Sequence, residues 1–197
     1  MKIRELQPIT LSDYPGNVAA IVFCQGCNFR CPWCHNRQLI SPSSSQGHYI
    51  PVESVLSHLA CRRHQVDGIV ISGGEPTIQD ELPEFLSQVK AQGYAVKLDT
   101  NGSRPSVLHA LITRRLVDFI AMDVKAPWAM YPHLTGTKPS FASLHKSIQI
   151  ISDSGIAHAF RTTAVPCLSA THLRAIAAAL PSHSPYVIQS YRKPIAS

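Results

Sequence analysis

The chain has 197 residues, of which 45% are hydrophobic and 15% are charged, and its formal net charge at pH 7 is +6. This composition excludes an intrinsically disordered chain, and the length predicts a single domain over residues 1–197. No apolar run approaches the roughly 20 residues that cross a bilayer, and residues 1–16 lack the apolar core of a signal peptide. We therefore expect a cytoplasmic protein with no membrane partner, in which the cysteines stay reduced.

The positive charge is spread along the chain rather than concentrated in one segment. Basic residues occur in pairs, such as Arg62 with Arg63 and Arg114 with Arg115, and no run of five or more is present. Such scattered pairs are typical of a solvated surface, so we do not expect nucleic acid as a partner. The net positive charge would instead suit an acidic ligand or an acidic partner protein.

Six short apolar segments alternate with helical patterns along the chain. The segments are residues 18–23, 68–72, 95–99, 119–124, 159–165 and 186–190. Continuous apolar strands of this length are typical of a parallel sheet that is buried on both faces. The sequence therefore predicts an α/β fold, a partial (β/α)₆ barrel with parallel strands, and leaves a doubly wound sheet as the alternative.

Polar and glycine-rich segments follow the predicted strands. They are "CQGCNFRCPWC" at 24–34, "SGGEP" at 72–76, "DTNG" at 99–102, "MDVK" at 122–125 and "RTT" at 161–163. In either arrangement of the sheet, ligands bind at the carboxyl ends of the strands. The sequence therefore predicts that these segments form one site.

The first of these segments contains four cysteines with the spacing C-x₂-C-x₃-C-x₂-C, namely Cys24, Cys27, Cys31 and Cys34. Four thiolates can hold one zinc ion or an iron–sulfur cluster of the ferredoxin type. Alternatively, the C-x₃-C-x₂-C triplet alone can bind three irons of a [4Fe–4S] cube and leave the fourth iron open for a ligand. The spacing by itself keeps all three possibilities open.

The segment "CNFRCPWCHN" at 27–36 resembles the cluster motif of the radical S-adenosylmethionine enzymes. Residues 11–36 and 131–151 resemble the glycyl-radical-enzyme activases within that superfamily, and most of all the activating proteins of anaerobic ribonucleoside-triphosphate reductase. The resemblance covers nearly the whole chain. It implies the partial barrel of the radical S-adenosylmethionine type, a [4Fe–4S] cluster with three cysteine ligands, and S-adenosylmethionine as cosubstrate.

The resemblance makes Cys27, Cys31 and Cys34 the cluster ligands and the catalytic cysteines. Cys24 lies outside the triplet, so we interpret it as a strand-end cysteine and leave a redox or alternative-ligand role open. His35 follows the last cysteine, where a hydrogen bond from its side chain could tune the cluster.

"SGGEP" resembles the segment that contacts the amino group of S-adenosylmethionine in this superfamily. This assigns Ser72, Gly73, Gly74 and Glu75 to cosubstrate binding. Glycines let the backbone approach a ligand closely, their carbonyls can accept from an ammonium, and Glu75 would add a counter-charge.

"DTNG" and "MDVK" resemble segments that line the cosubstrate pocket in the activases. They assign Asp99, Asn101 and Lys125 to this pocket, and Arg161 resembles an arginine that reaches the same cosubstrate. A guanidinium suits the recognition of a carboxylate.

The same resemblance suggests a monovalent cation near that carboxylate, with Asp99, Thr100 and Asp123 as hard oxygen ligands. The alternative is that Asp99 and Asp123 cap the helices that follow them or form ion pairs with Lys97 and Lys125.

The implied reaction is the reductive cleavage of S-adenosylmethionine to methionine and a 5′-deoxyadenosyl radical. In the activases this radical removes a hydrogen atom from one glycine of a partner, here expected to be an anaerobic ribonucleotide reductase. A flavodoxin or ferredoxin would be the low-potential electron donor. Two other hypotheses remain: a radical enzyme acting on a small molecule or a tRNA base, and a non-enzymatic zinc or iron–sulfur protein.

Overall fold

The computed structural model describes residues 1–41 and 48–193 and contains a seven-stranded sheet in which the strands follow one another in chain order. The strands are β1 (Ile3–Thr10), β2 (Ala19–Cys24), β3 (Gly68–Gly73), β4 (Ala95–Thr100), β5 (Phe119–Asp123), β6 (Ala157–Ala164) and β7 (Tyr186–Ser190). The α-helices of the described residues are α1 (Val52–Cys61), α2 (Leu82–Ala91), α3 (Pro105–Thr113), α4 (Tyr131–Thr135), α5 (Phe141–Asp153) and α6 (Ala170–Ala178).

The six predicted strands are confirmed as β2 to β7, and each of them is parallel to the next. Because the strand order never reverses, the doubly wound alternative is wrong. Within the described part of the chain β1 and β7 do not pair, so the sheet remains an open partial barrel.

β1 is an additional edge strand that the sequence analysis did not predict. It runs antiparallel to β2, and Ile3 lies opposite Cys24. Its sequence, "IRELQPIT", contains charged residues and Pro8, and only its first and last residues are buried. An edge strand with this little burial has no continuous apolar run, which explains why the pattern did not reveal it.

The main core lies between the sheet and the helices. Strand residues such as Val22, Ile71 and Leu98 contribute to it, together with Leu86 of α2 and Leu108 of α3. A smaller cluster of Tyr14, Ala19, Ile21 and Val70 packs separately. Since successive strand residues point to opposite faces, these two clusters hold β2 and β3 from both sides. Rigid strands of this kind place the loops at their carboxyl ends.

No helix among the described residues is both long enough and apolar enough to cross a membrane.

Candidate active site

One cleft at the carboxyl ends of the parallel strands contains about 870 Å³ of empty space, including its open mouth. The predicted site residues that line it are Cys27, Cys31, Cys34, Ser72, Gly73, Gly74, Glu75, Asp99, Thr100, Asn101, Asp123, Lys125 and Arg161. The structure thus brings together every residue that the sequence assigned to the site. Phe29, Trp33, Asn36, Ile40 and Thr163 also line the cleft, and the sequence analysis did not single them out.

The three cysteines of the triplet follow β2 on a loop that closes on itself. The amide of Gly26 donates to the carbonyl of Leu39 over 2.8 Å, and that of Cys27 donates to Ile40 over 3.0 Å. Burial raises the pKa of the Cys27 thiol to about 11, although the amide of Phe29 donates to its sulfur and opposes the shift. A metal centre would offset the free-energy cost of ionising this buried thiol because it stabilises the thiolate.

Cys24 differs from the triplet. It is fully buried at the end of β2, belongs to the main core, and does not line the cleft. Burial raises the pKa of its thiol to about 12, and the neighbouring charge of Glu75 adds to that shift. This environment fits a packed strand-end thiol.

The described residues contain no group of three or more His, Cys, Asp or Glu side chains placed to hold a single metal ion. Cys27, Cys31 and Cys34 nevertheless line the same cleft. Thiolates are the ligands of iron–sulfur clusters, in which each thiolate binds a different iron, so the chemistry of these three donors fits a [4Fe–4S] cluster.

A buried segment that is distant in sequence forms hydrogen bonds with the cysteine loop. The amide of Arg30 donates to the carbonyl of Thr135 over 2.7 Å, and the indole Nε1 of Trp33 donates to that of Leu134 over 3.0 Å. Gly136 follows α4 with a φ of +63°, and a Cβ there would collide with the carbonyl of Arg30. The end of α4 therefore binds closely to the loop that carries the cysteines and holds it in position.

The two glycines after β3 pack against this loop. Gly73 has a φ of +109°, and the amide of Gly74 donates to the carbonyl of Cys24 over 2.9 Å. A Cβ on Gly74 would overlap the carbonyl of Gly26. Glycine is therefore required here by the neighbouring backbone, in addition to any ligand that the cleft accepts.

Glu75 is 1% exposed, and its carboxylate already has several protein partners. It accepts from the amide of Asn101 over 2.6 Å, from the hydroxyl of Thr100 over 2.7 Å and from the amide of Thr77 over 3.2 Å. Burial raises the pKa of Glu75, and these hydrogen bonds oppose the shift. The carboxylate thus joins the end of β3 to the turn after β4, a role that the sequence analysis did not foresee.

Asn101 also joins its turn to the cysteine loop. Its Nδ2 donates to Oδ1 of Asn28 over 2.9 Å, and Nδ2 of Asn28 donates to Oγ of Ser103 over 2.8 Å. These links fix the distance between the predicted cluster site and the predicted cosubstrate site.

Five charged residues that lie on or just after three adjacent strands, β4 to β6, form a continuous chain, Lys97–Asp99–Arg161–Asp123–Lys125. Lys97 pairs with Asp99, and Nη1 of Arg161 lies 3.4 Å from Oδ1 of the same carboxylate. Nε of Arg161 lies 2.9 Å from Oδ1 of Asp123, and Nζ of Lys125 lies 2.8 Å from its Oδ2. Burial alone would raise the pKa of Asp123, but the charges of Arg161 and Lys125 lower it to about 2.

Of the three cations in this chain, Arg161 and Lys125 line the cleft, each paired with Asp123, and Lys97 does not line it. The guanidinium of Arg161 suits a ligand that carries a carboxylate. The predicted pairs of Asp99 with Lys97 and of Asp123 with Lys125 are both present. A monovalent cation at these carboxylates would have to compete with three protein cations, so the contacts favour the ion-pair alternative.

Comparison with known proteins agrees with this geometry. The family model of the Radical SAM superfamily matches residues 21–179, which include the cysteine loop and β3 to β6. The chain belongs to the radical SAM superfamily. Enzymes of this superfamily use a [4Fe–4S] cluster held by three cysteines, together with S-adenosylmethionine.

Two relatives represent different activities within the superfamily. The chain is 35% identical over 159 residues to a candidate glycyl-radical enzyme activating enzyme of Methanocaldococcus jannaschii, a match covering 78% of this chain and 64% of the relative. It is 35% identical over 88 residues to the 7-carboxy-7-deazaguanine synthase of Aquifex aeolicus, covering 45% of this chain and 38% of the relative. The chain thus spans less than two thirds of either relative.

Among solved structures, SuiB of Streptococcus suis bound to S-adenosylmethionine has the same fold, with a TM-score of 0.70 at 14% identity. The alignment covers 87% of this chain and 40% of SuiB. At this identity the match concerns the fold alone.

Proposed function

We propose that the protein cleaves S-adenosylmethionine reductively and uses the resulting radical to generate a glycyl radical on a partner enzyme, an anaerobic ribonucleoside-triphosphate reductase. The observation that carries the proposal is one cleft that is lined both by three cysteine thiols and by two cations, Arg161 and Lys125, that Asp123 holds in place. The 35% identity to a candidate activating enzyme supports the choice of reaction.

Cys27, Cys31 and Cys34 would hold the cluster, each as the ligand of one iron. When bound, the reduced cluster supplies one electron that splits the cosubstrate into methionine and a 5′-deoxyadenosyl radical. The hydrogen bond between Gly26 and Leu39 keeps the loop closed, and α4 holds the loop through two further hydrogen bonds. This chain therefore contributes the thiols and a fixed position for them beside the cleft.

Arg161 and Lys125 would bind the carboxylate of the cosubstrate. Both are held by Asp123, which fixes their direction before a ligand enters. Gly73 and Gly74 lie beside the cysteine loop, where their carbonyls could accept from the cosubstrate ammonium. Ser72 donates to Asp99 over 3.2 Å and joins this side of the cleft to the ion-pair chain.

Thr100 and Asn101 would shape the same pocket from the turn after β4, which Glu75 holds through hydrogen bonds. A hydrogen-atom transfer moves a proton and an electron together, so the reaction needs no general acid or base. The role of this chain is to orient the cosubstrate and to exclude water from the cleft.

The open side of the barrel supports a macromolecular substrate. The sheet is not closed between β1 and β7, and β7 is largely exposed. A loop of a second protein could reach the cleft from that side and present a backbone glycine. We propose an anaerobic ribonucleotide reductase as this second protein because residues 131–151 resemble the activases of that enzyme.

The test mixes the reduced protein and S-adenosylmethionine with the candidate reductase and records an electron paramagnetic resonance spectrum of the frozen sample. A glycyl radical gives a doublet from its remaining α-hydrogen, and α-deuterated glycine should collapse that doublet. A reductase with the radical glycine replaced by alanine is the control. Cosubstrate cleavage without a doublet, for every glycyl-radical enzyme of the same genome, would exclude the proposal.

The match to 7-carboxy-7-deazaguanine synthase supports a second candidate, a radical enzyme that acts on a small molecule. It predicts that 5′-deoxyadenosine forms in proportion to a small-molecule product and that no partner enzyme acquires a radical. The same spectrum, together with product analysis, distinguishes the two candidates.

A further inference from the structure

A second depression lies on the outer side of the cysteine loop, away from the predicted cosubstrate residues. It is shallow and is lined by Arg30, Cys31, Pro32, Arg37, Ile40 and Ser41. Cys31 and Ile40 line the cleft as well. The loop therefore separates the cleft from the depression, and Cys31 contributes to both surfaces.

The charge of this depression is positive. Arg30 and Arg37 are exposed, and neither forms an ion pair within residues 1–41 and 48–193. The sequence contains no Asp or Glu anywhere from residue 14 to residue 52. The guanidinium of Arg37 donates to the carbonyl of Pro32, which places its charge beside Cys31. Two unpaired guanidinium groups thus flank a predicted cluster ligand.

We propose that this depression, centred on Arg30, Cys31 and Arg37, docks an acidic electron-carrier protein that reduces the cluster. The inference rests on the proposed function, because only a bound cluster requires the electron. Electron transfer slows steeply with distance, so the donor must approach a cluster ligand. Cys31 is the thiol of the triplet that lies beneath this outer surface, and a donor bound there would leave the cleft free for the substrate.

The shape and charge of the surface fit a transient complex of this kind. Electron-transfer encounters use small interfaces, and complementary charges chiefly raise their association rate. Besides its two guanidinium groups, the depression offers apolar contacts at Pro32 and Ile40. An acidic carrier would be steered to it by long-range attraction.

The electron balance is simple for a flavodoxin probe. The anionic flavin hydroquinone loses one electron and becomes the neutral semiquinone, and the oxidised [4Fe–4S]²⁺ cluster gains that electron and becomes [4Fe–4S]⁺. No proton has to move between the two proteins. Dithionite reduces the same cluster without docking, which provides a direct control.

The experiment compares the cluster-loaded protein with its Arg30→Glu/Arg37→Glu variant, using flavodoxin hydroquinone and stopped-flow absorbance of the cluster. We expect the second-order rate of reduction to fall about tenfold or more at low salt. The difference should shrink towards about 1 M salt, where the Debye length is about 3 Å. Arg174→Glu, an exposed change on α6, should have no such effect.

Additional measurements separate the possible failures. Iron content and dithionite-driven cleavage of S-adenosylmethionine should stay unchanged in the variant, and Arg30→Lys/Arg37→Lys should keep most of the flavodoxin rate. Should the charge-reversed variant fail to load iron, Arg30→Gln/Arg37→Gln takes its place. An unchanged flavodoxin rate would overturn the inference. An equal loss of the cluster-reduction rate with dithionite would also overturn it. A loss of glycyl-radical formation with dithionite would overturn it as well, because that result would assign the surface to the substrate enzyme.

The proposed function has an independent outcome, namely whether the unmodified protein forms a glycyl radical when dithionite is the reductant.

Discussion

Nε of Arg161, at the middle of β6, donates to Oδ1 of Asp123, at the end of β5, over 2.9 Å. The two residues lie on neighbouring parallel strands and are paired in register. Because the carboxylate fixes the guanidinium and also binds Lys125, two cations point into the cleft together. This relationship is the physical basis for assigning carboxylate recognition to this side of the site.

Arg161→Ala should weaken the binding of S-adenosylmethionine and leave the iron content near normal. The variant loses charge-assisted hydrogen bonds, each worth about 1.5–3 kcal/mol, so the dissociation constant should rise about ten- to hundredfold. Equilibrium dialysis with the cluster-loaded protein measures this constant. Arg174→Ala on the exposed face of α6 is the matched control. Unchanged affinity in Arg161→Ala would remove this residue from the site.

Replacing Cys27, Cys31 or Cys34 by alanine should abolish the cluster, because each change removes the ligand of one iron. The unmodified protein, purified without oxygen, should be brown and contain about four irons per chain. Cys24→Ala should retain the cluster, since this thiol is buried outside the cleft. Iron and sulfide analysis decides the outcome. Loss of iron in Cys24→Ala, with retention in one of the other three, would contradict the ligand assignment.

Gly136→Ala should loosen the cysteine loop. Both Gly136 and Gly155 have a positive φ, so alanine costs about 1–2 kcal/mol of backbone strain at either position. Only at Gly136 would the new Cβ meet another chain segment, the carbonyl of Arg30. We therefore expect Gly136→Ala, but not Gly155→Ala, to lose iron faster to a chelator, measured at a temperature at which both variants remain folded. Equal rates of iron loss would show that α4 does not hold the loop.

Glu75→Gln should disturb the turn after β4, because the new amide nitrogen cannot accept from all the donors that now face the carboxylate. An unsatisfied buried partner costs about 1–3 kcal/mol. Denaturant unfolding should show this loss, and the affinity for S-adenosylmethionine should fall while the iron content is retained. Glu84→Gln is the control, since Glu84 is exposed on α2. A variant with normal stability and normal affinity would argue against this positioning role.

The parallel strands and the residues that line the cleft could be predicted from the sequence because each is indicated by a pattern of neighbouring residues. Each strand is a short apolar run, and the residues just after it lie at the same edge of the sheet as those of its neighbours. For this reason Ser72, Asp99 and Arg161 were assigned to one site although they are far apart in sequence. β1 was not predicted because an edge strand needs little burial and the apolar and polar residues of its sequence do not alternate regularly.

The contacts that position the site residues could not be predicted from the amino-acid sequence. Trp33 donates to Leu134, 101 residues away, and Glu75 accepts from Asn101, 26 residues away. Neither partner has a local pattern, because a single hydrogen bond between distant segments leaves no periodicity in either. Sequence analysis assigned Glu75 to the cosubstrate for its charge, whereas the structure shows its carboxylate bound to the neighbouring turn.

The sequence by itself determined the six parallel strands, the spacing of the three cysteines and the set of residues near the strand ends, since each depends on neighbours along the chain. The tertiary structure decided between a partial barrel and a doubly wound sheet, because strand order depends on where each crossover returns. It also decided that Asp99 and Asp123 bind protein cations, and that Cys31 lies between a cleft and a basic outer surface. Ion pairs and surfaces of this kind arise only when separate segments meet in space.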